Sequence, residues 1–264
     1  MARAAQGRES GEEGAPDKGA MQVVTRAAAV LGALAEPGGG RSLGQLAERT
    51  GLPKTTVHRI CTALESVGYV QVDAGTGQRE LGPALLRLAV IGRRDLRTVL
   101  EPHLARLSRD LNETVDLAVL DGSSVLFVAQ HPAPERELMA IARVGYRFPA
   151  SSMARGKVLL ARMPDAELRR LLPARLEPTI DGRVKTRDEF LRELAEVRLT
   201  GLGYEREELR HGICAVAVAV VDVDGRAASV AVPMPASRFT QSEREVAAAL
   251  LRLRDAVLVE LGGR

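Results

Sequence analysis

Apolar positions recur at helical spacing from Met21 to Leu34, at Val23, Val24, Ala27, Val30, Leu31 and Leu34, and predict a first helix. The stretch "EPGGGR" at residues 36–41 ends it. Ser42 then has the chemistry of an N-cap, and Gln45 three positions on makes a capping box with it, so a second helix with Leu43, Leu46 and Ala47 on its apolar stripe is expected. Gly51 suits the left-handed residue after that helix, and Pro53 suits the first turn of a third. In the third, Val57, Ile60, Cys61 and Leu64 follow the i, i+3, i+4, i+7 rule, with an end near Gly68. Two short alternating runs, "YVQV" and "QREL", flank the turn-rich "DAGTG" and predict a hairpin. Three helices and a small hairpin over residues 21–82 form a winged helix-turn-helix plan.

Pro83 opens another helical run with Leu85, Leu88, Ala89 and Val90 apolar, and residues 83–95 read as a linker helix. A basic "GRRDLR" separates it from Val99, Leu100, Leu104, Leu107 and Leu111, with Pro102 as a kink or a first-turn residue. Beyond residue 112 the pattern changes. "VDLAVL" and "VLFVAQ" flank Asp121-Gly122, a hairpin turn. "ELMAIA" reads as a third strand, "SSMARGKVLLARM" as a helix, and a further helix runs from about Asp188 to Thr200, with Thr186 and Glu189 in capping-box spacing. "ICAVAVAVVDV" and "AASVAVPM" are two long strands, and Thr240 with Glu243 has the spacing to cap a last helix. Residues 96–264 are therefore one α+β domain without internal repeats.

Composition narrows this picture little. Aromatics make up 3% and Trp is absent, so the cores must be aliphatic. No apolar run reaches the length of a membrane span, and residues 1–20, rich in Gly, Ala and mixed charge, read as a disordered tail with no secretory signal. Cys61 and Cys214 alone cannot build a disulfide framework or a thiolate metal site, and a reducing cytoplasm fits. The formal charge of +3 is too small to decide for or against nucleic acid. Its distribution is more informative.

The outward side of the third helix offers Lys54, Thr55, Thr56, His58, Arg59 and Thr62, and acidic residues are nearly absent from 51 to 64. In a helix-turn-helix this is the element that enters the major groove. Lys and Arg can donate to guanine O6 and N7, and a Thr methyl can touch thymine. Arg41, Ser42, Gln78 and Arg79 are placed for phosphate or minor-groove contacts. The competing reading is a merely solvated face of a small helical bundle.

The segment "LPKTTVHRICTALESVGYV" resembles the recognition helix of IclR-type bacterial transcriptional regulators. "ELGPALLRLA", "NETVDLAVLDGSSVLFVAQ", "PASSMARGKVLLA" and the run from Glu189 to Val232 continue the resemblance over about residues 21–262. It implies an N-terminal winged helix-turn-helix, a linker helix, and a C-terminal GAF/PAS-like α/β effector-binding domain. It also implies operator DNA and a small-molecule effector as partners, a homodimer or dimer of dimers, and an operon for organic-acid, aromatic-acid or sugar-derivative metabolism, with repression and activation both open.

The resemblance places the effector against the loop and helix at Ser151, Ser152, Met153, Ala154 and Arg155, whose amides would bind a carboxylate. It adds Glu205 and Ile213, and Ala215, Ala231 and Pro233 on the long strands, where polar side chains are common in such regulators. Ala140, Tyr146 and Phe148 complete the expected lining, with core packing favoured for Phe127. Cys214 is one position off, so strand alternation points it to the opposite face. An apolar wall of this kind suits an aromatic or branched acid or its amide better than a tiny keto acid. Arg155 has two readings, an inward partner for a carboxylate or an exposed first-turn residue.

Enzyme readings fail on spacing. Gly156-Lys157 lacks the Gly and the Ser or Thr of a phosphate loop. The four His are scattered without metal-ligand spacing, and neither a catalytic residue nor a cofactor is expected. The second hypothesis is a metabolite-binding enzyme or sensor whose N-terminal module only oligomerises.

Overall fold

Stripes of buried aliphatic side chains determine how the chain closes. The computed structural model describes residues 18–36, 41–91, 96–140 and 144–261. The chain divides into two compact units, Met1–Arg93 and Arg94–Arg264.

The first unit contains α1 (Lys18–Ala35), α2 (Leu43–Thr50), α3 (Lys54–Ser66), β1 (Val70–Val72), β2 (Arg79–Leu81) and α4 (Pro83–Ile91). α1 starts before Met21, so residues 18–20 are helical rather than tail, and residues 1–17 lie outside the described residues. The capping box at α2 forms as the spacing predicts: Gln45 N–H donates to Ser42 Oγ at 3.3 Å, and Ser42 N–H donates to Gln45 Oε1 at 2.9 Å. Gly51 ends α2 at φ +66°, a backbone conformation that costs glycine nothing. Pro53 sits one position before α3, as its N-cap.

Val30, Ala33, Leu34, Leu46, Val57, Cys61, Leu64 and Val70 form the core of this unit. Burying each large aliphatic side chain contributes roughly 1.5–3 kcal/mol, and this small core locks α3 against α1 and α2. β1 and β2 pair antiparallel, Val70 opposite Leu81. Arg41 extends the ribbon through two backbone bonds with Arg79, at 2.9 and 2.8 Å. Of the expected linker helix, residues 83–91 are helical and 92–95 lie outside the described residues.

The second unit comprises α5 (Leu96–Leu111), β3 (Val115–Asp121), β4 (Ser124–His131), β5 (Arg147–Pro149), a 3-10 turn (Ala150–Ser152), α6 (Ala154–Leu160), α7 (Asp165–Leu171), α8 (Arg187–Thr200), β6 (Leu202–Arg206), β7 (Ile213–Val221), β8 (Ala227–Pro235) and α9 (Ala236–Glu260). Its six strands form one antiparallel sheet in the order β5-β4-β3-β8-β7-β6. Period-two alternation divides its side chains between two cores. Cys214, Val216, Val218 and Val220 face α5 and α9, whereas Ala215 and Ala217 face α6 and α8. The small residues on the second face let α6 lie close to the sheet. A Cβ on Gly203 would come within 2.6 Å of Ala154 O.

β4 carries one residue more than β3 around Val128, and the register shifts between Leu117 and Ala118. Phe127 and Ala129, two residues apart, consequently fall in opposite cores.

Several predicted elements differ. In "ELMAIA", residues 137–140 are not a strand and 141–142 lie outside the described residues; the edge strand is β5 instead. "SSMARGKVLLARM" breaks at Met153, which is extended, φ −127° and ψ 141°, between the 3-10 turn and α6. α7 falls in a stretch of Leu and charge with no N-cap side chain to announce it. The last helix begins at Ala236 after Pro235, four residues before Thr240, and Glu243 pairs with Arg206 at 2.7 Å instead of capping. Pro102 lies inside α5, where its missing N–H removes one helix bond.

Candidate functional site

Two places carry chemistry. The first is the outer face of α3. With Val57, Cys61 and Leu64 buried, Lys54, Thr55, His58, Arg59 and Thr62 are exposed and Thr56 is half-buried. Thr62 Oγ1 donates back to His58 O at 3.0 Å. Glu65 is the first acid along α3, and it lies 3.7 Å from Arg79 Nε. The outer face of α3 is thus cationic and free of acid over its first two turns.

The flanking residues behave differently. Arg41 is buried, 7% exposed, and donates to Glu36 O at 3.4 Å, which corrects its assignment to a surface contact. Arg79 is half-buried beside Glu65 and donates to Gly77 O at 3.2 Å, so much of its charge is offset. Ser42 is exposed but holds the α2 cap, and the half-buried Gln78 accepts a backbone bond from Asp73. Asp73 closes the hairpin tip through Thr76, with its carboxyl held below the usual range by those bonds.

The second place is a cavity of about 200 Å3 on the α6 face of the sheet. All six strands contribute to it: Phe148 from β5, Phe127 from β4, Asp116 from β3, Pro233 from β8, Ile213 from β7 and Glu205 from β6. Met153 and Arg155 enter from the start of α6, and Met139, Ala140, Leu209 and Arg210 from two loops. The Phe127 and Phe148 rings meet edge to face, with centroids 5.6 Å apart. Such a volume is below the ~300–1,000 Å3 usual for drug-sized ligands and somewhat above the ~150 Å3 that holds a benzene. One substituted ring or a branched chain fits.

Arg155 faces inward, 3% exposed. It pairs with the fully buried Asp116, stands 3.8 Å from Glu205 and lies 4.9 Å over the Phe127 ring. Asp116 also accepts from Gln130 Nε2. Glu205 accepts the Ala154 N–H, so a protein carboxylate already occupies the start of α6. Burial pushes Glu205 up to about 7 from 4.5, against the opposing pull of Arg155 and Lys157. Beneath the cavity, Lys157, 1% exposed, bonds Glu193 at 2.7 Å and also Glu208, while Lys185 bonds the same two acids at 2.7 and 2.8 Å. These two cations and two acids form a closed ring of neutral sum.

Of the residues expected at this site, Ala140, Phe148, Met153, Arg155, Glu205, Ile213 and Pro233 line the cavity. Ser151, Ser152 and Ala154 are buried beside it without lining it, and Ala215 and Ala231 belong to the core behind. Tyr146 stacks on Phe148 from outside, at 6.4 Å. Asp116, Met139, Leu209 and Arg210 line the cavity without a local sequence pattern that assigns them to it, and Phe127 is a cavity wall as well as core. Asp116 had a visible mark: a lone acid inside the apolar run "VDLAVL". Cys214 faces the opposite core, and among the described residues no His, Cys, Asp and Glu cluster is arranged for a metal.

Comparisons with known proteins identify two domains along the chain. Residues 23–74 match the IclR helix-turn-helix domain, and residues 88–257 match the bacterial transcriptional regulator IclR C-terminal domain. The chain is 41% identical to the HTH-type transcriptional regulator Rv1719 of Mycobacterium tuberculosis, over 92% of this chain and 93% of that one. It is 35% identical to the HTH-type transcriptional regulator TtgV of Pseudomonas putida, over 89% of each. An IclR transcriptional regulator from Alicyclobacillus acidocaldarius superposes with a TM-score of 0.76 at 27% identity, over 89% of this chain and 97% of that one.

Proposed function

The chain belongs to the IclR family of bacterial transcriptional regulators, a DNA-binding regulator with an effector domain and not an enzyme, and from that premise we propose how its parts divide the task. Residues 21–82 are the operator-binding head, 83–95 the linker helix and 96–264 the effector-binding domain. The outer face of α3 carries the proposal, because it is cationic, free of acid over its first two turns and set on the buried Val57, Cys61 and Leu64. Lys54, Thr55, His58 and Arg59 read base edges and phosphates in the major groove, with Thr56 at their margin. Ser42, Gln78 and the offset Arg79 supply weaker backbone contacts.

The regulator works in the cytoplasm as a homodimer or a dimer of dimers. Two heads then meet successive major grooves about 34–36 Å apart on a near-palindromic operator. Among the described residues no helix is long and apolar enough to cross a membrane. The effector is a compact organic molecule held in the 200 Å3 cavity. It changes operator affinity only so far as it binds the two arrangements of the heads unequally.

The test is fluorescence anisotropy of the full chain on duplex DNA from upstream of its own gene, and on duplexes selected from a random pool. The expected result is a preference over random duplex of about 10³ or more. Lys54→Ala and Arg59→Ala should weaken binding with the fold intact, and each lost phosphate contact should lower the salt slope by about 1. A head that selects no sequence, or binding unchanged in Arg59→Ala, would overturn this placement of α3.

A further inference from the structure

The polar end of the cavity contains two atoms with unmet hydrogen-bonding capacity. Glu205 Oε2 accepts no hydrogen bond, although its residue is 2% exposed, and Arg155 Nε donates none at 3% exposed. Both residues line the cavity. Buried polar atoms are almost always paired, so such a pair of orphans in one cavity points to a ligand group that completes them.

Charge limits what that group can be. Asp116 and Arg155 neutralise one another, and Lys157 is committed to the ring with Lys185, Glu193 and Glu208. Glu205 is left as the surplus charge of the buried set. A ligand carboxylate would lie against it, and the Ala154 amide, the anion donor at the start of α6, is already bonded to Glu205. Arg210 lines the cavity but is exposed, where water screens it. An ammonium would satisfy Glu205 and leave the Arg155 donor unmet.

We infer that the effector's polar end is an uncharged group that donates and accepts at once, a hydroxyl or a carboxamide, giving its hydrogen to Glu205 Oε2 and taking one from Arg155 Nε. Its apolar body lies against Phe127, Phe148 and Pro233. The inference rests on the cavity being the effector site. A hydroxyl on an aromatic ring meets every condition: the volume, the paired aromatic wall and the two orphan atoms. Ionised Glu205 is the stronger acceptor, so binding of such a ligand tightens as the pH rises from 6 to 8.

Three ring probes of similar size separate the possibilities: phenol donates and accepts, anisole only accepts, and benzoate is an anion. Each is titrated onto the full chain by ligand-detected NMR at pH 6 and pH 8. The expected order at pH 8 is phenol tighter than anisole by roughly ten- to hundredfold, with benzoate also weaker than phenol. Glu205→Ala should erase the advantage of phenol, and Glu205→Gln, whose amide oxygen still accepts, should keep part of it. Anisole equal to phenol, benzoate at least as tight as phenol, or a phenol advantage surviving Glu205→Ala would each overturn the inference while leaving the cavity as the effector site. Binding of none of the three would remove both. Should Glu205→Ala fail to fold, the order of the probes on the wild-type chain and on Glu205→Gln decides the matter.

Discussion

Replacing Gly156 by alanine sets two effects of opposite sign against each other. Alanine is the better helix former, by about 1 kcal/mol in a helix interior, and Gly156 lies within α6. Against this, its Cβ would stand 2.0 Å from Ala150 O and 2.4 Å from the Ala150 carbonyl carbon and Cα. Carbon and oxygen approach to about 3.3 Å even in favourable contacts, so the overlap exceeds 1 Å. Every obstructing atom is backbone, and none can rotate away. Relief requires moving the 3-10 turn off α6, an overpacking of the kind that costs about 1–3 kcal/mol or more. Steric cost wins, and a net loss of about 2 kcal/mol is expected.

For a unit of this size that lowers Tm by about 4–8 °C, read by calorimetry of the full chain with circular dichroism to follow helix loss. Gly32→Ala is the matched control. It sits inside α1 with nothing within 4 Å of the new Cβ, so only the propensity gain applies and stability should rise by about 0.5–1 kcal/mol. A Gly156→Ala chain as stable as wild type would refute the close approach of α6 to the turn.

Three other outcomes are expected. Glu205 is pushed up to about 7 from 4.5 in the folded chain, so the folded state holds that proton more tightly than the unfolded one. Its contribution is then greatest below pH 4.5, declines through the interval and levels off above 7, by about 3 kcal/mol in all; denaturant titrations from pH 4 to 9 should show this decline weakened in Glu205→Gln. Lys157→Met leaves Glu193 and Glu208 sharing Lys185 alone, and breaking a buried pair in this way should cost about 3–5 kcal/mol in chemical denaturation. Ser42→Ala removes the α2 cap and should lower the stability of the first unit by about 1 kcal/mol, measured by hydrogen exchange of α2 amides.

How far the sequence determines this structure varies by region. α2 and α3 were legible because capping and stripe periodicity are local, and Val57, Cys61 and Leu64 are buried where the spacing placed them. The β3–β4 hairpin was legible for the same reason, through Asp121-Gly122. Arg41 was not, because its burial goes with a pairing to Arg79, 38 positions away beyond two helices and a strand, and the Gly-rich stretch just before it has no periodicity of its own. Thr240 and Glu243 offered a valid cap that tertiary contact overrode, since Arg206 takes Glu243. Around the cavity, local pattern could tell that Asp116 was odd but not that Arg155 would meet it from α6. Ionic partners brought together by six strands leave no trace in neighbouring letters.

The extra residue on β4 gives the cavity a dependence on chain length. Phe127 and Gln130 are separated by an odd number of positions, yet the first walls the cavity and the second reaches Asp116 on that same side. An unbroken strand would send them to opposite faces, so the bulge acts as a parity switch halfway along β4. Side chains can be exchanged on either side of it without disturbing that parity. Losing Val128 would leave the two an even number of positions apart in an unbroken strand, with both still on the cavity side; a further residue inserted between them that the bulge does not absorb sends one of the two out of the cavity. Ligand preference can therefore drift by substitution here and survives loss of the extra residue, while a further insertion in this short stretch is closed to it.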